Sequence, residues 1–331
     1  MFKSQPSPCN TYFIDLPLTR LHVMETGEGE PLIMVPATIS ELENWRTLAQ
    51  FMAQWFHVYF FELPGHGESE PFEGGFSTQK VAELVGQLTD RLGYERFNLM
   101  GFSFGGILAM RTFELLSHRI DRIILIAPCL GRPALPFSNL RLSLLQRANL
   151  LISRPNLRKK FVGMIHDPQT VSKVVKVLQK IGKLEDTIPL QEKLPRTKAS
   201  TIEVLNAQIN EILTTDFEEE LSKYNTPCYF AMSIYDPLLC FDKTHDILQD
   251  HFTDLSTVRL DYPFHQPPAP FTYKELNHDF HKTVDSFIQP KDYQGVPNVQ
   301  QKISDHVPDR VIHDRNVGVP AAADRIPAMV Q

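Results

Sequence analysis

The sequence predicts an α/β protein: a mostly parallel sheet with helices on both faces and one helical insertion. Three observations carry this. Short apolar runs alternate with stretches of helical period between Leu32 and Pro128. From Gly131 to Leu221 the alternation gives way to helical periods broken by prolines. Strand character then returns at 227–233 and 257–260. Alternating strand and helix signals mark a parallel sheet with crossover helices.

The elements follow in order. Thr11–Leu16 and Arg20–Glu25 alternate apolar and polar residues about Pro17, as an antiparallel edge hairpin does. Leu32–Val35 and His57–Phe61 are apolar runs suited to strands buried on both faces. Leu42–Trp55, Thr78–Leu92 and Gly105–Leu116 carry apolar residues at helical spacing, with strands at Phe97–Met100 and Arg122–Ala127 between and after them. In the insertion, Val171–Ile181 and Thr201–Leu213 are the clearest helices, and Thr187–Arg196 reads as a loop. A helix over Asp242–His251 separates the two late strands, and a last one covers Tyr273–Ile288. The expected organisation is a core from 11–130 and 222–289, a helical cap at 131–221, and an extended or disordered tail at 290–331. That tail wraps its own domain, joins protomers of a homo-oligomer, or stays loose.

Composition narrows the function classes. Of 331 residues, 42% are hydrophobic and 22% charged, the balance of a globular chain rather than a disordered one. A net charge of -6 argues against nucleic acid, and against electrostatic docking to an acidic membrane. The four cysteines (Cys9, Cys129, Cys228, Cys240) form no CxxC pair or zinc spacing and read as reduced thiols. The N-terminal stretch lacks the apolar core of a signal peptide. No apolar run approaches the roughly 18 residues of a membrane span, so no integral membrane segment is expected. A cytoplasmic enzyme is the expectation.

Chemistry concentrates at Gly101-Phe102-Ser103-Phe104-Gly105, which matches G-x-S-x-G. The motif lies between a strand and a helix, the context of a sharp turn that lifts a serine hydroxyl above the sheet. Small residues let the turn close, and the Phe104 N–H points at a developing oxyanion beside the helix N-terminus. A serine needs a base, and the base a carboxylate to orient it. Asp236 heads the loop after the 227–233 strand, although Asp-Pro is also ordinary turn chemistry. His265 lies in the loop before the final helix. His278 and His281 fall inside that helix, His245 and His251 on or at the end of the preceding one, and His66 in another loop.

With these residues in place the chain resembles the α/β-hydrolase superfamily, in its cap-bearing serine hydrolase branch, over residues 11–289. Leu32–Thr38 stands where the oxyanion strand and loop would be. Glu62–Ser69 is similar to the family's D-x-x-G-x-G-x-S loop, Gly101–Gly106 is the elbow, and Asp236 and His265 complete the set. The resemblance implies Ser103 as nucleophile, His265 as base, Asp236 as its partner, and an oxyanion hole from the Phe104 N–H and the Thr38 N–H, with Ala37 the alternative donor. Pro36-Ala37 replaces the usual His-Gly, and Pro36 has no N–H to give. Glu62 replaces the usual aspartate, and His66 is normally structural. Serine rather than aspartate at the elbow implies an acyl-enzyme and argues against dehalogenation.

The expected function is a serine hydrolase cleaving an ester or related acyl bond of a small apolar substrate, without metal or organic cofactor. The alternatives are a lyase or acyltransferase on the same residues, or a non-catalytic ligand-binding scaffold. Leucines and Phe161 in the insertion either line an acyl pocket or pack helices. Arg154, Arg158, Lys159 and Lys160 form a basic cluster, either a solvated face or a contact for an anionic head group or membrane surface.

Overall fold

Side-chain alternation along the central strands sorts the apolar residues into two layers. In the computed structural model, which describes residues 6–173, 197–217, 223–265 and 272–289, eight strands form one sheet. They are β1 (Cys9–Asp15), β2 (Arg20–Gly27), β3 (Glu30–Val35), β4 (Phe56–Phe61), β5 (Phe97–Phe102), β6 (Ile120–Ile126), β7 (Cys228–Ser233) and β8 (Leu255–Leu260). Their order is β1-β2-β4-β3-β5-β6-β7-β8. The first two pairings are antiparallel and the rest parallel. Ile33 and Val35 of β3 enter one apolar layer, and Leu32 and Met34 the other. A strand buried on both sides needs apolar residues at every position, which explains its continuous run.

Helices α1 (Leu42–Met52), α2 (Thr78–Leu92) and α3 (Gly105–Leu116) connect the first parallel strands. After α4 (Asn139–Ile152), α5 (Pro155–His166) and α6 (Ala199–Thr214) come α7 (Phe241–His251) and α8 (Tyr273–Ile288). Apolar residues of α2, α3 and α7 fill one layer, and those of α1 and α8 the other. Both faces are therefore covered, as a parallel sheet requires. Local signals set the helix ends. Ser77 accepts the Lys80 N–H at the start of α2, and Gly93 ends it at φ 79°. Thr272 and Glu275 form a reciprocal capping box at α8.

Most strand ends and several helix ends shift by one to three residues from the expected boundaries, and two of these shifts have a visible local cause. The first helix stops at Met52 rather than Trp55, because Gln54 and Trp55 bond three residues back and tighten the last turn before β4. The strand expected at Phe97–Met100 runs on to Phe102, since Gly101 and Phe102 keep pairing with Leu125 and Ile126. The helix expected at Val171–Ile181 is seen at Val171–Lys173, and the rest lies outside the described residues. So do the 187–196 loop and the tail from 290 onward. The segment carrying α4–α6 leaves and returns at one point: Gly131 bridges Asp216, and the Arg132 N–H donates to the Thr215 carbonyl at 2.9 Å. Asn149 of α4 donates to the Asn206 carbonyl of α6 at 3.1 Å. Ser200 and Thr201 of α6 donate to the Gly65 carbonyl, each at 2.9 Å, which seats the segment on the 62–69 loop.

Candidate active site

β5 delivers Ser103 at φ 53°, a left-handed conformation that a side chain adopts only when its surroundings enforce it. The enforcement is visible in the backbone. The Ser103 N–H donates to the Ile126 carbonyl, and its own carbonyl accepts the Gly106 and Cys129 N–H groups at 2.8 Å each. The turn also requires missing side chains. A Cβ on Gly101 would lie 2.3 Å from the Gly105 carbonyl oxygen, and one on Gly106 2.6 Å from Pro128. The glycines thus let α3 start directly over the end of β5.

Asp236 follows the end of β7. Its carboxylate is wholly buried and fully engaged: Oδ1 accepts the Leu238 and Leu239 N–H groups at 2.8 and 3.0 Å. Oδ2 accepts from His265 Nδ1–H at 2.7 Å. That bond leaves Nε2 of His265 as an acceptor, and Ser103 Oγ–H donates to it at 2.8 Å. Ser233, at the end of β7, donates to the Tyr262 carbonyl and so ties down the loop that carries His265. The structure therefore brings Ser103, Asp236 and His265 into one hydrogen-bonded line. His245, His251, His278 and His281 stay on α7 and α8, as expected.

The Phe104 N–H heads α3, among the backbone donors that a helix start leaves without intrahelical acceptors. Val35 pairs with Gly101 across the sheet, so the 36–40 loop begins beside the elbow. Thr38 lies in this loop, three residues past Val35. Trp45 Nε1–H donates to the Ile39 carbonyl at 2.8 Å and holds the loop in place. Trp45 also packs on Phe102, whose ring centre is 5.5 Å from that of His265. Sequence reasoning missed Trp45 and Phe102, because an aromatic at helical or strand spacing carries no sign of which neighbour it will meet.

The 62–69 loop is held by side chains that point into it. Glu62 is buried and accepts the Leu42 and Glu68 N–H groups as well as His22 Nδ1–H. Ser40 accepts the Leu63 N–H at 2.9 Å and donates to His66 Nδ1 at 3.0 Å. Burial pushes the His66 imidazole down to about 4; the Thr201 backbone opposes this, too loosely to make a full hydrogen bond with Nε2. Glu62 and His66 therefore organise the loop from within. Under the elbow, burial pushes the Cys129 thiol up to about 12, and the nearby Asp236 charge adds to the effect.

A buried carboxylate, an imidazole and a hydroxyl in line, beside helix-start N–H groups, can deprotonate an alcohol next to a site for negative charge. A family model for the α/β-hydrolase fold matches residues 30–159. The chain is 24% identical over 216 residues to a pimeloyl-(acyl-carrier protein) methyl ester esterase from Nitrosomonas europaea, covering 63% of this chain and 79% of that protein. It is 31% identical over 90 residues to a soluble epoxide hydrolase from Corynebacterium sp., covering 27% of this chain and only 32% of that protein. A solved structure of a thermophilic esterase from Thermogutta terrifontis matches with a TM-score of 0.60 at 17% identity, over 85% of this chain and 100% of the other. The chain has the α/β-hydrolase fold.

Proposed function

We propose that the chain is a serine hydrolase that cleaves an ester or related acyl bond of a small apolar substrate through a covalent acyl-enzyme. The observation that carries this reading is the unbroken hydrogen-bond line from Asp236 through His265 to Ser103. His265 Nε2 takes the hydroxyl proton as Ser103 Oγ attacks the substrate carbonyl. The Asp236 carboxylate holds Nδ1–H and stabilises the imidazolium that forms. The Phe104 and Thr38 N–H groups receive the oxyanion. His265 then gives its proton to the leaving group. Water, deprotonated by the same imidazole, releases the acyl group and restores Ser103.

The apolar preference is supported by Phe102 beside His265, and by the exposed side chains of Ile234 and Tyr235 next to Asp236. Helices α4–α6 act in this reading as a cap, because α6 sits on the 62–69 loop. The four free thiols support a reducing compartment such as the cytoplasm. Among the described residues no helix is long and apolar enough to cross a membrane. Several of the relatives carry names that denote hydrolases, including N-formylmaleamate deformylase from Pseudomonas putida.

Steady-state assays on a series of p-nitrophenyl acyl esters test the reading. Turnover by the wild-type chain, lost by about 10⁴-fold or more in Ser103→Ala, supports it. Equal turnover by both proteins contradicts it.

A further inference from the structure

Helix α4 is turned the opposite way to an ordinary surface helix. Leu142 and Asn149 form its buried side. Leu140, Leu144 and Leu151 follow one another at helical spacing on the side facing away, and Leu140 is 72% exposed. In α5, Leu157, Phe161 and Met164 repeat the pattern at i, i+4 and i+7, all exposed. Exposed apolar side chains scattered singly are ordinary; two adjacent helices with such stripes are not.

Charge supplies the second observation. Residues 139–166 contain six Lys and Arg residues and no Asp or Glu, in a chain whose net charge is -6. Arg158 is spent on Glu203 of α6 at 3.3 Å. Arg147, Arg154, Lys159 and Lys160 have no carboxylate partner among the described residues, and all four are exposed. The net charge that disfavoured an acidic surface thus hides a strongly basic region of opposite sign. Long cationic side chains flanking an exposed leucine stripe suit the boundary between acyl chains and anionic head groups. A protein partner for such a face would have to offer a complementary acidic and apolar surface; a bilayer offers both features everywhere.

We propose that the outer faces of α4 and α5 dock onto the surface of an anionic lipid bilayer, with the leucines entering the interface and the cations meeting lipid phosphates. Docking does not rest on the hydrolase reading: it is argued only from the exposed apolar stripes of α4 and α5 and from their cations, unpaired among the described residues.

The test is co-sedimentation of the full chain with phosphatidylcholine vesicles, with and without phosphatidylglycerol. Binding to the anionic vesicles, at least about tenfold weaker on the neutral ones and weakened by salt, is expected. Replacing Leu140, Leu144 and Leu151 together by serine should weaken partition by about 100-fold or more. Charge reversal by Arg147→Glu, Lys159→Glu and Lys160→Glu should do the same and remove the salt dependence. The charge variant keeps the test decisive if the leucine variant loses its fold. Absence of binding to anionic vesicles at low salt overturns the proposal. So does equal binding to both vesicle types, or self-association that the leucine variant abolishes while vesicles stay unbound.

Discussion

Nε2 of His265 lies 2.8 Å from Oγ of Ser103, although 162 positions separate the two residues in the chain. The approach depends on Asp236, which fixes the far side of the ring. Asp236→Asn keeps the volume but replaces the anion with an amide. Its Oδ1 position faces two N–H donors, Leu238 and Leu239, so the amide oxygen will turn toward them. The amide NH₂ is then presented to His265 Nδ1, which favours the tautomer with the proton on Nε2. Ester turnover is expected to fall by about 10³–10⁴-fold with little change in KM. Measured kcat within a few-fold of wild type would show that the carboxylate does not orient the ring.

The elbow predicts a sharp contrast between two glycines. Gly101→Ala sets a Cβ 2.3 Å from the Gly105 carbonyl oxygen, a backbone atom that cannot step aside. The variant should lose about 3 kcal/mol of unfolding free energy in denaturant titration. Gly163 in α5 has open space where its Cβ would stand. Gly163→Ala should gain about 0.5–1 kcal/mol. Equal stability of the two variants would mean the backbone at the elbow is looser than its packing implies.

His66 makes stability depend on pH in a defined window. In the folded chain burial keeps its imidazole neutral down to about pH 4, whereas the unfolded chain protonates it near its ordinary value of 6.5. Between these limits the unfolded state binds the extra proton. Stability therefore falls as pH drops from 6.5 toward 4, at about 1.4 kcal/mol per unit and about 3 kcal/mol in total. Above 6.5 both states hold a neutral ring and the contribution is flat. Chemical denaturation across pH 4–7 should show this slope in the wild type and its loss in His66→Gln. An unchanged slope in the variant would assign the acid sensitivity elsewhere.

Much of this arrangement was legible in the residues. Helices at Thr78–Leu92, Gly105–Leu116 and Tyr273–Ile288 begin and end where their caps and periods put them. Ser103 was marked by glycines that only a tight strand-to-helix turn needs. Asp236 and His265 were found from their places after strands, yet nothing in the sequence carries the 2.7 Å between them. That distance follows from the pairing of β7 with β8 and from Ser233 holding Tyr262. Glu62 in place of aspartate became intelligible only in space, where its longer side chain reaches both Leu42 and Glu68. The outward leucines of α4 were read as either pocket or packing. Periodicity identifies a stripe but not which side of the helix the rest of the fold will cover.

The most direct measurement is peptide mapping by mass spectrometry after treatment with a fluorophosphonate, in the wild-type chain and in His265→Ala. The account predicts one stoichiometric phosphonyl adduct, on the peptide containing Ser103, forming at least about 100-fold more slowly in the variant. An unmodified Ser103, an adduct on a different serine, or equal rates in both proteins would contradict it.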